Sequence, residues 1–257
     1  MSVFPDQFVD VNKLVSFVIL HPFLIPDTIH LGDCRDLLAQ LLDAQASGFS
    51  PLLDSCVTDP PYGIDYQSNR RVARPQLPKF KNDVDLNWLD PWVEQIYRVL
   101  KPDSHFYCFT RFDVYPTFYN SMSRFFKVKN CLIWLKNNHG CGDLNGSYAP
   151  QYEMIIFAVK GRRALNGPRD SDVLACDNVP SADRLHPTQK PVELLRRLLR
   201  QSCPPGGIVL DPFAGSGSTL LAAYLEGFHF LGFEKDPKWH AIALQRLSAA
   251  RSQQRLL

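Results

Sequence analysis

Short apolar runs alternate along this chain with stretches whose apolar positions recur every three or four residues. Thr28–Leu31 predicts a short strand, followed by Gly32, Asp33 and Cys34 and a helix near Arg35–Ala46. Ser55–Thr58 predicts a buried strand, Asp90–Leu100 a helix, His105–Thr110 a strand, and Phe112–Phe126 a helix in spite of Pro116. Val128–Lys136 and Glu153–Val159 carry the β-branched and aromatic content of strands. A Gly/Asn-rich loop at 137–150 lies between them, and 161–184 reads as irregular. The last third predicts a helix at Val192–Arg200, a strand at Gly207–Leu210, a helix at Leu220–Glu226, a strand at His229–Phe233 and a helix from about Trp239 to Gln253. Repeated β–α alternation implies a mostly parallel sheet with helices on both faces. Such sheets bind ligands at the carboxyl ends of their strands. Asp33, Asp59, Asp211 and Glu234 all fall at such ends.

Composition narrows the picture only a little. The 257 residues suit one large α/β domain over 1–257. A net charge of +2 is too weak to announce a nucleic-acid binder, so only a local patch could do so. The seven cysteines include no Cys-x-x-Cys pair, which argues for reduced thiols, a cytoplasmic location and no metal site. The apolar run Leu14–Ile25 is broken by His21 and Pro22 and is too short to span a bilayer.

Chemistry enters at Asp59-Pro60-Pro61-Tyr62. A strand that ends in this turn presents a carboxylate, a proline carbonyl and an aromatic face. Proline has no N–H, so the turn offers acceptors and few donors. That suits an exocyclic amino group on a flat ring, as a nucleobase carries. The same four residues also fit a plain turn with Tyr62 packed on the core, and the rest of the chain decides between them.

A second turn, Asp211-Pro212-Phe213-Ala214-Gly215-Ser216-Gly217, links a strand to a helix. Its glycines allow a ligand to approach the backbone. No Gly-Lys-Ser/Thr follows, and Leu220 stands where a dinucleotide fingerprint has its third glycine, which disfavours a P-loop and an NAD-dependent oxidoreductase. Asp211 would repel a pyrophosphate and attract an ammonium or sulfonium. Glu234, at the end of the next strand, suits two ribose hydroxyls. Together they fit a nucleoside with a cationic tail, S-adenosylmethionine.

With His186-Pro187-Thr188-Gln189-Lys190-Pro191 added, the chain resembles the DNA amino-methyltransferases that modify adenine N6 or cytosine N4. The catalytic motif precedes the cofactor motif, as in the permuted β class, and the chain looks most like its compact solitary members of phages and mobile elements. The resemblance spans about residues 28 to 245. It implies the S-adenosylmethionine-dependent methyltransferase fold, a Rossmann-like seven-stranded mixed sheet, circularly permuted, with one antiparallel strand. It assigns Asp33 to the cofactor adenine, and Thr188 and Lys190 to the segment supporting the methionine end. From the residues alone, Lys190 reads as solvated.

The mechanism that follows has Asp59 and the Pro60 carbonyl accept the two amino protons while Tyr62 stacks on the base. A base inside a duplex must be flipped out to reach them. No cysteine follows a proline, so no covalent intermediate is expected. Arg70, Arg71, Arg74, Lys79 and Lys81 lie between Gln67 and Asn82 with no acid among them, a candidate phosphate-binding loop on double-stranded DNA. DNA-contacting loops are expected near 66–87, 137–150 and 161–185. Adenine N6 is the expected target, cytosine N4 the alternative, and a DNA-binding regulator without activity the reading from another class. A homodimer and a partner endonuclease stay open.

Overall fold

The computed structural model describes residues 26–47, 53–62, 86–140 and 146–254. Residues 1–25, the basic loop with Arg70, Arg71, Arg74, Lys79 and Lys81, and 141–145 lie outside the described residues.

The chain runs β1 (Thr28–Leu31), α1 (Cys34–Ala46), β2 (Leu53–Thr58), α2 (Leu89–Val99), β3 (Leu100–Thr110), α3 (Tyr115–Ser123), β4 (Lys127–Leu135), β5 (Tyr152–Lys160) and β6 (Val173–Ala175). It continues through α4 (Val192–Ser202), β7 (Ile208–Asp211), α5 (Ser218–Leu225), β8 (His229–Glu234) and α6 (Pro237–Gln254). One sheet takes them in the order β1-β8-β7-β2-β3-β5-β4-β6. Neighbours are parallel except where β5 meets β3 and β4.

The strand period of two assigns the core to two faces. Cys56, Phe106 and Cys108 pack on one side with Leu38, Trp92, Ile96 and Phe118 from α1–α3. Val57, Tyr107 and Phe109 pack on the other with Leu195, Leu199, Leu220 and Ala243 from α4–α6. α2 buries Leu89, Trp92, Val93, Ile96 and Val99, the spacing of one helical stripe. This double coverage is why the central strands read as continuous apolar runs.

Two elements differ from the sequence reading. The helix expected over Phe112–Phe126 is confined to α3, with Pro116 in its first turn. There a missing N–H breaks no helical bond, so the proline marks a start. The eighth strand, β6, falls in the stretch read as irregular. Three residues are too few to show alternation. It is held at the edge of β4 by Ile133 N–H to Asp172 O (2.7 Å), Cys176 N–H to Leu135 O (3.1 Å) and the Trp134 indole to Cys176 O (2.8 Å). The other seven strands are those the sequence predicts. Part of the 161–185 segment is fastened to α4, through Asn166 on the Arg200 and Cys203 carbonyls and Arg197 on Asp170.

Candidate active site

Four adjacent strands, β1, β8, β7 and β2, end at Glu234 and Asp211 or lead within two residues into Asp33 and Asp59. At about 4.8 Å per strand the row is roughly 14 Å long. Sequence places these acids at strand ends, and the sheet order makes them neighbours.

The turn after β7 is built for a close approach. Gly215 (φ +52°) and Gly217 (φ +77°) both adopt left-handed backbone. A Cβ at Gly215 would meet nothing nearer than the His186 ring at 3.8 Å, so the turn faces a cradle floored by that ring. A Cβ at Gly217 would come within 3.0 Å of Ala243 on α6. Glu234 braces this turn: one carboxylate oxygen accepts the Gly215 N–H (2.7 Å) and the other the Asp236 N–H (2.8 Å). Each oxygen keeps a lone pair for a further donor. Burial raises the pKa of Glu234.

Asp211 lies beneath the turn, 3% exposed. Its Oδ1 accepts the Thr58 hydroxyl (2.8 Å) and the Phe213 N–H (3.1 Å). Burial pushes its carboxyl up to about 6. Thr58 immediately precedes Asp59, so one hydrogen bond ties the two turns together. Pro212, Phe213 and Ala214 carry the backbone across, with Phe213 packed on Trp88 and Trp92 (ring centroids 5.9 and 5.5 Å). Asp33 is gripped by Arg35, through two guanidinium hydrogen bonds, and by Lys235 at 2.9 Å, which together hold its carboxyl well below the usual carboxylate range.

Asp59, Pro61 and Tyr62 are half-buried and Pro60 is buried. The Tyr62 hydroxyl donates to Asp59 Oδ1, and its ring meets Phe118 edge-on at 6.3 Å. Asp59 Oδ2 accepts from Lys190 Nζ at 2.6 Å. Lys190 also pairs with Glu153 (2.9 Å), and Glu153 pairs with Lys136 (2.6 Å). Burial raises the Asp59 pKa, with Lys190 pulling against it and Glu153 adding to it. Burial works on Glu153 too, but Lys190 and Lys136 outweigh it and bring Glu153 down to about 2.

Lys190 is 7% exposed, with its ammonium 4.9 Å from the centre of the Phe109 ring. Its solvated reading from the residues alone is therefore corrected, because two carboxylates at two strand mouths compensate the buried charge. Thr188 is exposed and its hydroxyl bonds the His186 ring (3.1 Å). Glu153 and Lys136 were not singled out from sequence. A single charge at the mouth of an apolar strand is ordinary, and their significance arises only when β4, β5 and the segment before α4 converge. Among the described residues, no group of three His, Cys, Asp or Glu could hold a metal ion, and no helix is long and apolar enough to cross a membrane.

A glycine turn braced by the acid of the next strand, beside an acidic Pro-Pro-Tyr turn on the neighbouring strand, defines the class: a Rossmann-like methyltransferase sheet. Comparison with known proteins carries this further. The N6_N4_Mtase family model, described as DNA methylase, matches residues 53–245. The chain belongs to this DNA methylase family. It is 34% identical over 202 residues to YubD of Escherichia coli (strain K12), covering 77% of this chain and 82% of that protein. It is 26% identical over 251 residues to the DNA adenine methyltransferase YhdJ of the same strain, covering 84% and 81%. Among solved structures, an M1.HpyAVI–SAM complex superposes with TM-score 0.66 at 24% identity, covering 86% of this chain and 98% of that one. The cytosine-N4-specific PvuII DNA methyltransferase superposes with TM-score 0.63 at 16% identity, covering 84% of each chain.

Proposed function

We propose that this DNA methylase transfers a methyl group from S-adenosylmethionine to the exocyclic N6 of adenine in double-stranded DNA. The observation that carries the reading is the hydrogen-bonded adjacency of two turns, one shaped for an amine and one for a nucleoside.

The residues present fit the cofactor. The left-handed glycines open a cradle at Gly215 that a side chain would fill. Glu234 has lone pairs free for ribose hydroxyls, and Asp211 supplies a buried negative charge under the turn. Asp33 stands at the adenine end, and Pro212, Phe213, Ala214, Gly215 and Gly217 form the turn that faces the cofactor. Thr188 lies at the other end, beside His186. When bound, S-adenosylmethionine supplies an electrophilic methyl group on a sulfonium.

The remaining work falls to Asp59, Pro60, Pro61 and Tyr62. The target amine is a weak nucleophile because its lone pair is delocalised into the ring. Asp59 and the Pro60 carbonyl accept its two protons and so localise that lone pair. As the nitrogen bonds the methyl carbon, the carbon–sulfur bond of the sulfonium would break with its electron pair left on sulfur as a neutral thioether; the nitrogen gains the positive charge, which the same acceptors stabilise, and then releases one proton to solvent. Positioning and fixed acceptors supply the rate. Tyr62 stacks on the flipped base.

Phosphate contacts belong to the basic loop with Arg70, Arg71, Arg74, Lys79 and Lys81. Phe112 is 68% exposed just past β3, and Tyr148 is 99% exposed in the loop before β5. Both fit a rim that meets nucleic acid. The catalytic turn precedes the cofactor turn in the chain, which supports the permuted arrangement. The reading carries with it a single domain and a cytoplasmic location.

Adenine is favoured over cytosine by Asp at the first motif position and by the likeness to YhdJ. The fold likeness to the PvuII enzyme keeps N4-cytosine as the second reading. Digesting DNA from cells that express the chain and separating the nucleosides decides between them. N6-methyladenine supports the proposal, and N4-methylcytosine replaces it. Asp59→Ala abolishes transfer while S-adenosylmethionine still binds; normal turnover by that variant refutes the assignment.

A further inference from the structure

Lys190 is the buried member of a ladder of alternating charge that begins at Asp59 and whose other members the proposed chemistry does not use. Asp59 from the end of β2, Lys190 from the segment before α4, Glu153 from the start of β5 and Lys136 just past β4 follow one another at 2.6, 2.9 and 2.6 Å. The four side chains come from four separate places in the chain. The contacts are short, and Lys190 has almost no access to water. A lysine so placed cannot be a solvating group, and its ammonium is directed at the catalytic carboxylate.

We infer that Lys190 and Glu153 are positioning residues for Asp59: Lys190 fixes the carboxylate and keeps it charged, and Glu153 draws Lys190 partly away so that the target amine can still claim an acceptor. The inference rests on the proposed methyl transfer for its purpose, and on the geometry alone for its existence. A bare Lys190–Asp59 pair would compete with the substrate amine for the same oxygen. A second carboxylate oxygen, Glu153 Oε2, stands 2.9 Å from the same ammonium with no hydrogen-bond partner of its own, so it shares the attraction of the charge, and Lys136 keeps that second carboxylate ionised.

Among the described residues, the titratable and charged groups that act with Asp59 come from several elements. They are Tyr62 from its own turn, Cys108 from β3, Asp211 from β7, Glu153 from β5 and Lys190. His186 stands behind Lys190, and Lys136 behind Glu153. Lys190 provides the cation in contact with Asp59. Its removal therefore leaves two carboxylates sharing one site, with one of them forced to hold its proton to higher pH. Neutralising Glu153 has the opposite effect, because it removes a negative neighbour and returns Lys190 wholly to Asp59.

The test is a titration of the Asp59 carboxyl by 13C NMR in cofactor-free protein labelled at aspartate, with the signal assigned by Asp59→Asn. Lys190→Gln should move the Asp59 midpoint up by about one unit or more, and Glu153→Gln should move it down. If Lys190→Gln fails to fold, the Glu153→Gln shift decides alone. The acidic limb of methyl transfer to DNA should move in the same two directions, with the KM for S-adenosylmethionine within about twofold of wild type for both variants, an energy below ~0.5 kcal/mol. An Asp59 midpoint that stays put in the folded variants overturns the inference. So does a raised KM for S-adenosylmethionine in Lys190→Gln with an unmoved acidic limb, which would return Lys190 to the cofactor. A wild-type protein that methylates no DNA sinks the proposed function, while the titration still decides the ladder.

Discussion

Replacing Asp211 with Asn should stabilise the folded protein at neutral pH and leave it no more stable near pH 4. The carboxylate is 3% exposed and accepts from Thr219, Thr58 and the Phe213 N–H, and none of the groups acting on it is a cation. Burial therefore lifts its pKa from 3.8 to about 6. The sign follows from linkage. A raised carboxyl pKa means that the folded protein holds this proton more tightly than the unfolded chain. Its contribution to stability is therefore most favourable below pH 4 and declines as pH rises through about 6. At about 1.4 kcal/mol per unit, the displacement from 3.8 to about 6 amounts to roughly 3 kcal/mol of destabilisation at pH 7.5. An Asn Oδ1 can accept the Thr58 and Phe213 hydrogen bonds, and its amide can donate to the Thr219 hydroxyl, without the charge. Thermal or urea unfolding of the cofactor-free protein across pH 4–8 reads the difference. At roughly 2–4 °C per kcal/mol, Tm of the variant should exceed wild type by up to about 10 °C at pH 7.5. S-adenosylmethionine, being cationic, should raise Tm of wild type more than that of Asp211→Asn. A Tm difference that does not change with pH would refute the reasoning.

The glycine turn and the basic loop give two further expectations. Gly217→Ala should cost about 2 kcal/mol, from a left-handed φ and contact with Ala243, and should raise the KM for S-adenosylmethionine. Gly227→Ala, with φ +73° and nothing within 4 Å, should cost only the backbone share, about 1 kcal/mol, and equal costs by urea unfolding would refute this account. Changing Arg70 and Arg71 to Ala should flatten the salt dependence of DNA binding by about 0.9 log units per lost phosphate contact. An unchanged slope removes these residues from the interface.

The parts of the site legible in the sequence were those written in contiguous residues. Asp59-Pro60-Pro61-Tyr62 and the Asp211–Gly217 turn each combine an apolar strand with a turn whose residues have a local physical role. Strands that pack on both faces read clearly because their apolar runs are unbroken, as in Phe106 to Phe109. What remained hidden depends on which strands become neighbours. Nothing in the spacing of Lys136, Glu153 and Lys190 suggests contact, because β5 runs antiparallel between β3 and β4 and so brings its start beside their ends. β6 was hidden for a different reason, since three residues on an edge need no alternation. Asp33 was placed correctly at a strand end, but its two cation partners come from the adjacent helix and from a residue just past β8.

The adjacency also explains why two acids at neighbouring strand ends are kept close together. Methyl transfer requires two substrates to meet in line, and a small drift between their binding turns lowers the rate sharply. Here the strands that carry the turns are paired directly, Ser55 with Val209 and Cys56 with Leu210. The last residue of β2, Thr58, then donates its hydroxyl to Asp211 across the gap. The Asp59 turn and the glycine turn are thereby one braced unit, and the Asp59 and Asp211 charges repel each other. A bound cation offsetting Asp211 would relieve that repulsion and favour the ionised form of Asp59. On the proposed reading, cofactor binding and readiness of the Asp59 carboxylate are coupled through a single hydrogen-bonded step between adjacent strands.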